Sequence, residues 1–201
     1  MESKKNNLES NSKFSILIIG ICISFLVIIL VSFVSFSKES EKVIEKKVEG
    51  GIIELKYNNK FAGLEVVNLT PLTDSIALKD DTLNNYLDFS VDTSFNEAAS
   101  IDYEISILKD PSKSSIGNED IRISLEKDIG GSYEVVCSPS SYIPLNEKDE
   151  YGVPAGSMVL TNLSKRKNSS DQYRLKLWLS DKSMKSVGSF KVYLKIYSKA
   201  K

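Results

Sequence analysis

Ile101-Asp102-Tyr103-Glu104-Ile105-Ser106-Ile107 alternates apolar and polar side chains without a break. A period of two puts every second residue on one face of an extended chain, so the stretch reads as a strand with one buried face. The same alternation returns in Ile121-Arg122-Ile123-Ser124-Leu125, in Tyr173-Arg174-Leu175-Lys176-Leu177-Trp178-Leu179 and in Phe190-Lys191-Val192-Tyr193-Leu194-Lys195-Ile196. Less regular strands are expected over 52–57, 64–69, 86–91, 133–137 and 157–161, for about nine in all.

Between these runs lie Asn58-Asn59-Lys60, Asp80-Asp81, Asp110-Pro111-Ser112, Gly130-Gly131, Pro139 and Ser169-Ser170-Asp171, residue types that form turns for backbone reasons. No segment of helical period and length interrupts them. Short strands without intervening helices predict an antiparallel two-sheet β-sandwich with Greek-key connections, immunoglobulin-like or jelly-roll-like, over residues 52–201. A body of that size buries a sufficient core without disulfides or metal.

Upstream the pattern is different. From Phe14 to Phe36 the chain carries no charge and is mostly Ile, Leu, Val and Phe. As a helix it would be about 34 Å long against a hydrocarbon core of roughly 30 Å, enough to cross a bilayer with modest tilt. The expected organisation is a short cytoplasmic tail (1–13), a transmembrane helix (14–36), a charged helical stalk (37–51) and the β-sandwich ectodomain (52–201). The stalk reading rests on the Lys and Glu density of Lys38 to Val48, closed by Gly50-Gly51.

Lysines flank the apolar run on both sides, Lys4, Lys5 and Lys13 before it and Lys38, Lys42, Lys46 and Lys47 after it. Charge therefore does not set orientation. A short leader before a single span and a long C-terminal body fits a signal-anchor protein of the cell membrane with its C-terminal domain extracellular. Ser35-Phe36-Ser37 also offers small residues at a signal-cleavage spacing, which leaves processing after Ser37 as the alternative.

The chain has 201 residues, with 26 Lys+Arg against 27 Asp+Glu, no His, two Cys and one Trp. Balanced charge speaks against a nucleic-acid partner. Without histidine the usual general base near neutral pH, every His-dependent triad and the commonest metal ligand are missing. What remains for catalysis is a Ser-Lys dyad: Gly156-Ser157-Met158 precedes Lys165-Arg166-Lys167, similar to the nucleophile and base of type I signal peptidases, but without the Pro that follows Ser-Met there. A lysine is a base only when burial lowers its pKa, and three adjacent cations in a polar stretch read as solvated.

Acidic groups at Asp80-Asp81, Glu119-Asp120 and 146–150 lack the spacing of a calcium loop and read as exposed turns. No catalytic, cofactor-binding or metal residue is assigned, and no cofactor is expected. Cys22 and Cys137 fall in the apolar run and in the sandwich, so they do not bridge each other, and Cys137 reads as a small apolar residue at a strand end. Asn68-Leu-Thr70, Asn162-Leu-Ser164 and Asn168-Ser-Ser170 match glycosylation acceptors, but the Lys, Asn, Ile and Ser bias indicates a low-GC bacterium or its phage. Trp178 puts an aromatic on the polar face of its strand, which calls for a covered sheet face or a partner surface.

Three short stretches in the first 90 or so residues carry a resemblance. Phe36-Ser37-Lys38-Glu39-Ser40, Gly50-Gly51-Ile52-Ile53-Glu54-Leu55, and Asn68-Leu69-Thr70-Pro71-Leu72-Thr73-Asp74 followed by Phe89-Ser90-Val91 resemble, in order, the entry to the camelysin and TasA-type surface and biofilm-matrix proteins of Gram-positive bacteria. Pro71-Leu72-Thr73-Asp74 departs from that family's Pro-Gly-Asp turn. The resemblance implies an exported β-sandwich that can assemble into fibres. The sequence thus points to a non-catalytic surface protein that binds, adheres or plays a structural role. Its partners are the lipid bilayer through Phe14 to Phe36 and an unknown protein or surface ligand. Self-assembly into a matrix fibre through an exposed first strand, 52–57, is the alternative.

Overall fold

The computed structural model describes residues 42–48, 51–57, 63–80, 85–95, 100–185 and 187–200. Eleven strands lie in two sheets. In chain order they are β1 (Lys42–Val48), β2 (Gly51–Tyr57), β3 (Gly63–Val67), β4 (Pro71–Leu72), β5 (Tyr86–Phe95), β6 (Ile101–Lys109), β7 (Ile121–Asp128), β8 (Tyr133–Ser140), β9 (Ser157–Lys165), β10 (Ser169–Ser180) and β11 (Ser189–Ala200). The larger sheet runs β1-β2-β5-β10-β7-β8, with β4 parallel to the end of β10, and the smaller runs β3-β11-β6-β9. Apart from the β4 contact every pairing is antiparallel.

All nine expected strands are present, and their alternation faces the interior as read. Ile101, Tyr103, Ile105 and Ile107 of the smaller sheet meet Tyr173, Leu175, Leu177 and Leu179 and Ile121, Ile123 and Leu125 of the larger in one apolar cluster. Removing this surface from water is what holds the two layers together. The hairpin turn between β7 and β8 follows from Gly130-Gly131. Both take positive φ, 67° and 91°, and the Ile129 N–H donates to Ser132 O at 2.8 Å across the turn, a left-handed pair of positions that glycine fills at little cost.

Four readings are corrected. Lys42–Val48, expected within a helical stalk, is strand β1, paired with β2 from Lys42↔Tyr57 to Val48↔Gly51. Pairing with a neighbour overrides the helical preference of Lys and Glu, and charged residues suit an edge strand. It follows that β2 is flanked on both sides and is no free edge. Pro139 and Ser169-Ser170-Asp171, expected as turns, lie inside β8 and β10. Proline is tolerated there because β8 is the sheet's last strand. Finally, a short helix, α1 (Asp74–Lys79), occurs where only irregular chain was expected.

Among the described residues no helix is long and apolar enough to cross a membrane. The tail, the apolar run from Phe14 to Phe36 and Cys22 lie outside the described residues, as do Asn58-Asn59-Lys60 and Asp81.

Candidate functional site

The outward-facing residues of the larger sheet form its most varied chemical surface. Because Leu175 and Leu177 point inward, Arg174, Lys176 and Trp178 point out. Trp178 is nonetheless 1% exposed and stands apart from the interior cluster. It is buried beside α1: Ala77 is buried as well, and the two residues line one small recess with Asn85 and Lys176. The helix is pinned at both ends. Arg122 on β7 makes a bidentate pair with Asp74 at 3.1 and 2.7 Å and also donates to Pro139 O at 2.7 Å. Lys176 donates to Leu78 O at 2.8 Å and pairs with Glu126 at 3.3 Å. The Arg122 hydrogen bonds hold the Asp74 carboxyl below its ordinary range against the opposing effect of burial. The covered-face reading of Trp178 is therefore the one observed.

Beyond α1 the same face lies open. The Arg174 guanidinium sits between the rings of Tyr86 and Tyr133, 4.1 and 4.3 Å from their centroids, and makes a bidentate pair with Asp88 at 2.7 and 2.9 Å. Next to it Lys56 bonds Asp92 at 2.7 Å, and Ser170 donates to the same carboxylate at 2.7 Å. This array presents planar rings, a fixed cation and the exposed carboxylate of Asp88. It offers recognition by stacking and hydrogen bonding.

Ser157 and Lys165 are not brought together. They begin and end β9, which at about 3.3 Å per residue separates their backbones by roughly 26 Å. Ser157 is buried beneath the start of the strand, whereas the Lys165 ammonium pairs with Asp171 at 2.5 Å. Lys127 reaches the same carboxylate at 2.9 Å. Asp171 thereby ties β9 of one sheet to β7 and β10 of the other. Burial opposes its ionisation, yet the two lysines hold its carboxyl below the ordinary range.

Cys137 lies within β8 and is partly buried against the interior, and burial pushes its thiol up. Among the described residues no three Asp, Glu or Cys side chains gather as metal ligands. Asp120 of the Glu119-Asp120 pair bonds Lys185 at 3.3 Å.

The arrangement around Glu104 is absent from any reading of the sequence. Asp102, Glu104 and Ser106 point away from the interior, yet all are buried. What lies over this face is the connection 141–156 between β8 and β9, whose Val153 is fully buried outside the interior cluster. Asn162 on β9 donates to Glu104 Oε1 at 2.9 Å, and the carboxyl group meets that of Asp149. Asp149 Oδ1 in turn accepts the N–H groups of Tyr151 and Val153 at 2.9 and 2.8 Å. Burial first, and Asp149 next, push the Glu104 carboxyl up to about 7. The alternation around Ile101–Lys109 places Glu104 correctly, but nothing in it announces the cover.

No known protein family matches this chain, and no curated protein is similar to it.

Proposed function

We propose that this is a bacterial surface protein, held in the cell membrane by the segment from Phe14 to Phe36, whose β-sandwich works outside the cell by binding, adhesion or a structural role and not by catalysis. The observation that carries the reading is the charge-free apolar run placed directly before a compact sandwich. The finer fold reading is a Greek-key arrangement, immunoglobulin-like or jelly-roll-like, in which strands after β5 repeatedly change sheet along the chain. The surface around Arg174, Tyr86, Tyr133 and Asp88 is the proposed contact region for a protein or surface ligand.

At three of the four sheet edges a displayed single domain fits better than a fibre subunit does. β1 carries Lys42, Glu45, Lys46 and Lys47, β3 has only five residues, and β8 has two register breaks and Pro139. These are the devices that keep edges from pairing with another chain. The second reading, an exported matrix-fibre subunit cleaved near Ser37, draws on the camelysin and TasA-type resemblance.

Protease added to intact cells tests the proposal. Digestion of the C-terminal body from outside, with an intact Met1 end in the membrane fraction, is the expected result. Survival of the body until cells are broken would overturn the topology, and a mature end near Ser37 in the culture supernatant would favour the fibre reading. Loss of surface binding in an Arg174→Ala variant that retains its fold would support the contact region.

A further inference from the structure

The connection 141–156 is fastened to the smaller sheet at its ends by neutral hydrogen bonds. Tyr142 accepts from Lys109 N at 2.9 Å and donates to Gly156 O at 2.5 Å, and the Leu145 N–H donates to Ser157 O at 2.7 Å. In its middle the fastening is of another kind. Glu104 Oε2 is buried without a hydrogen-bond partner, and the group that its carboxyl meets, Asp149, is a second carboxyl. Two ionised carboxylates are acceptors only, so they can bond each other only if one keeps its proton. Asp149 is already committed as an acceptor of the Tyr151 and Val153 N–H groups, which leaves the proton on Glu104.

We propose that residues 141–156 form a strap latched over the outer face of the smaller sheet by the proton that Glu104 keeps and donates to Asp149, and that loss of this proton releases the strap. Around the pair, Glu150 on the strap adds negative charge, Asn162 on β9 supplies one neutral donor, and Asp102 lies two residues along β6. On β11 the cross-strand neighbour is Tyr197, while Lys195, opposite Ser106, is exposed. Once the proton is gone, two carboxylates face each other with Glu150 near them, and repulsion lifts the strap. Lifting it opens Glu104 and Ser106 to water, so the outer face of the sheet becomes available in neutral and alkaline surroundings and closed in acid ones. The carboxyl held near pH 7 puts the change in a range that an extracellular surface meets.

Amide hydrogen exchange of the full chain in detergent micelles tests this, read on peptides covering 141–156 and corrected for the intrinsic pH dependence of exchange. Strap protection is expected to fall on the order of tenfold or more between pH 5.5 and 8, while β6 and β10 stay protected. Glu104→Gln keeps both hydrogen bonds, because its amide accepts from Asn162 and donates to Asp149, and it should hold the acidic level of protection at every pH. Protection that does not change with pH in the natural chain, or an equal fall in the E104Q variant, would overturn the latch. If that variant does not fold, the ¹³C titration of the Glu104 carboxyl decides. A midpoint near 7 supports the proton held on Glu104, and one in the ordinary carboxylate range overturns it.

Discussion

The hydroxyl groups of Tyr103 and Tyr173 lie 3.3 Å apart in the middle of the sandwich, one from each sheet, both fully buried. Each is the other's hydrogen-bond partner, so the two sheets are joined at this point by polar chemistry inside an apolar interior. The Tyr173 ring also stacks on Phe89 at 5.4 Å.

Removing one hydroxyl strands the other. Tyr103→Phe or Tyr173→Phe alone should cost about 1–3 kcal/mol, whereas the double substitution should cost less than the sum of the two. Chemical denaturation of the four variants of this cycle measures the coupling. Strict additivity would show that the pair does not act as one bond.

Asp171 carries the second polar link between the sheets. Asp171→Ala leaves Lys165 and Lys127 facing each other and should lower stability by about 3 kcal/mol, while Lys165→Met, which leaves the Lys127 partner, should cost about 1 kcal/mol. The carboxyl is held below its unfolded value. The stability it contributes is therefore present above the ordinary carboxylate range and lost as pH falls through its folded pKa. Denaturation midpoints at pH 7 and pH 3 should accordingly converge between Asp171→Asn and the natural chain on the acid side.

Gly63 opens β3 where β11 passes close by. A Cβ there would stand 2.7 Å from Val192 O and 3.1 Å from a Tyr193 ring carbon, and the nearer obstacle is backbone that cannot swing away. Gly63→Ala should cost about 1–3 kcal/mol by overpacking. Gly156→Ala, with open space but φ of 86°, should cost only about 1–2 kcal/mol through backbone strain. Thermal unfolding of the two variants ranks them.

Trp178 is the chain's one tryptophan and is buried under α1, so its fluorescence should be blue-shifted in the folded state and move to the red on unfolding. Trp178→Ala removes the surface on which the helix rests and should cost about 3–5 kcal/mol. Arg122→Ala should loosen the start of α1 and shift the emission toward the red without unfolding the sandwich.

The alternating runs at Ile101, Ile121, Tyr173 and Phe190 made two sheets and an apolar interior legible before any coordinates, because burial of one sheet face writes a period of two directly into the chain. Composition likewise ruled out the histidine-based chemistries. β1 was not legible: its lysines and glutamates have a helical preference, and only the pairing partner in β2 decides that they form a strand. Ser157 and Lys165, set aside as a dyad in the sequence because the lysine cluster reads as solvated, are held far apart as the two ends of the extended strand β9.

By itself, then, the sequence determined the class of fold, the inward residues of the four alternating strands and the apolar run from Phe14 to Phe36, since all of these are local patterns of solubility. Tertiary structure alone decided which polar residues are covered. Glu104, Lys176 and Trp178 all sit on outward faces by alternation. They are buried only because α1 and the connection 141–156, remote in the chain, fold back over them, and contact between distant segments leaves no periodic mark on either one.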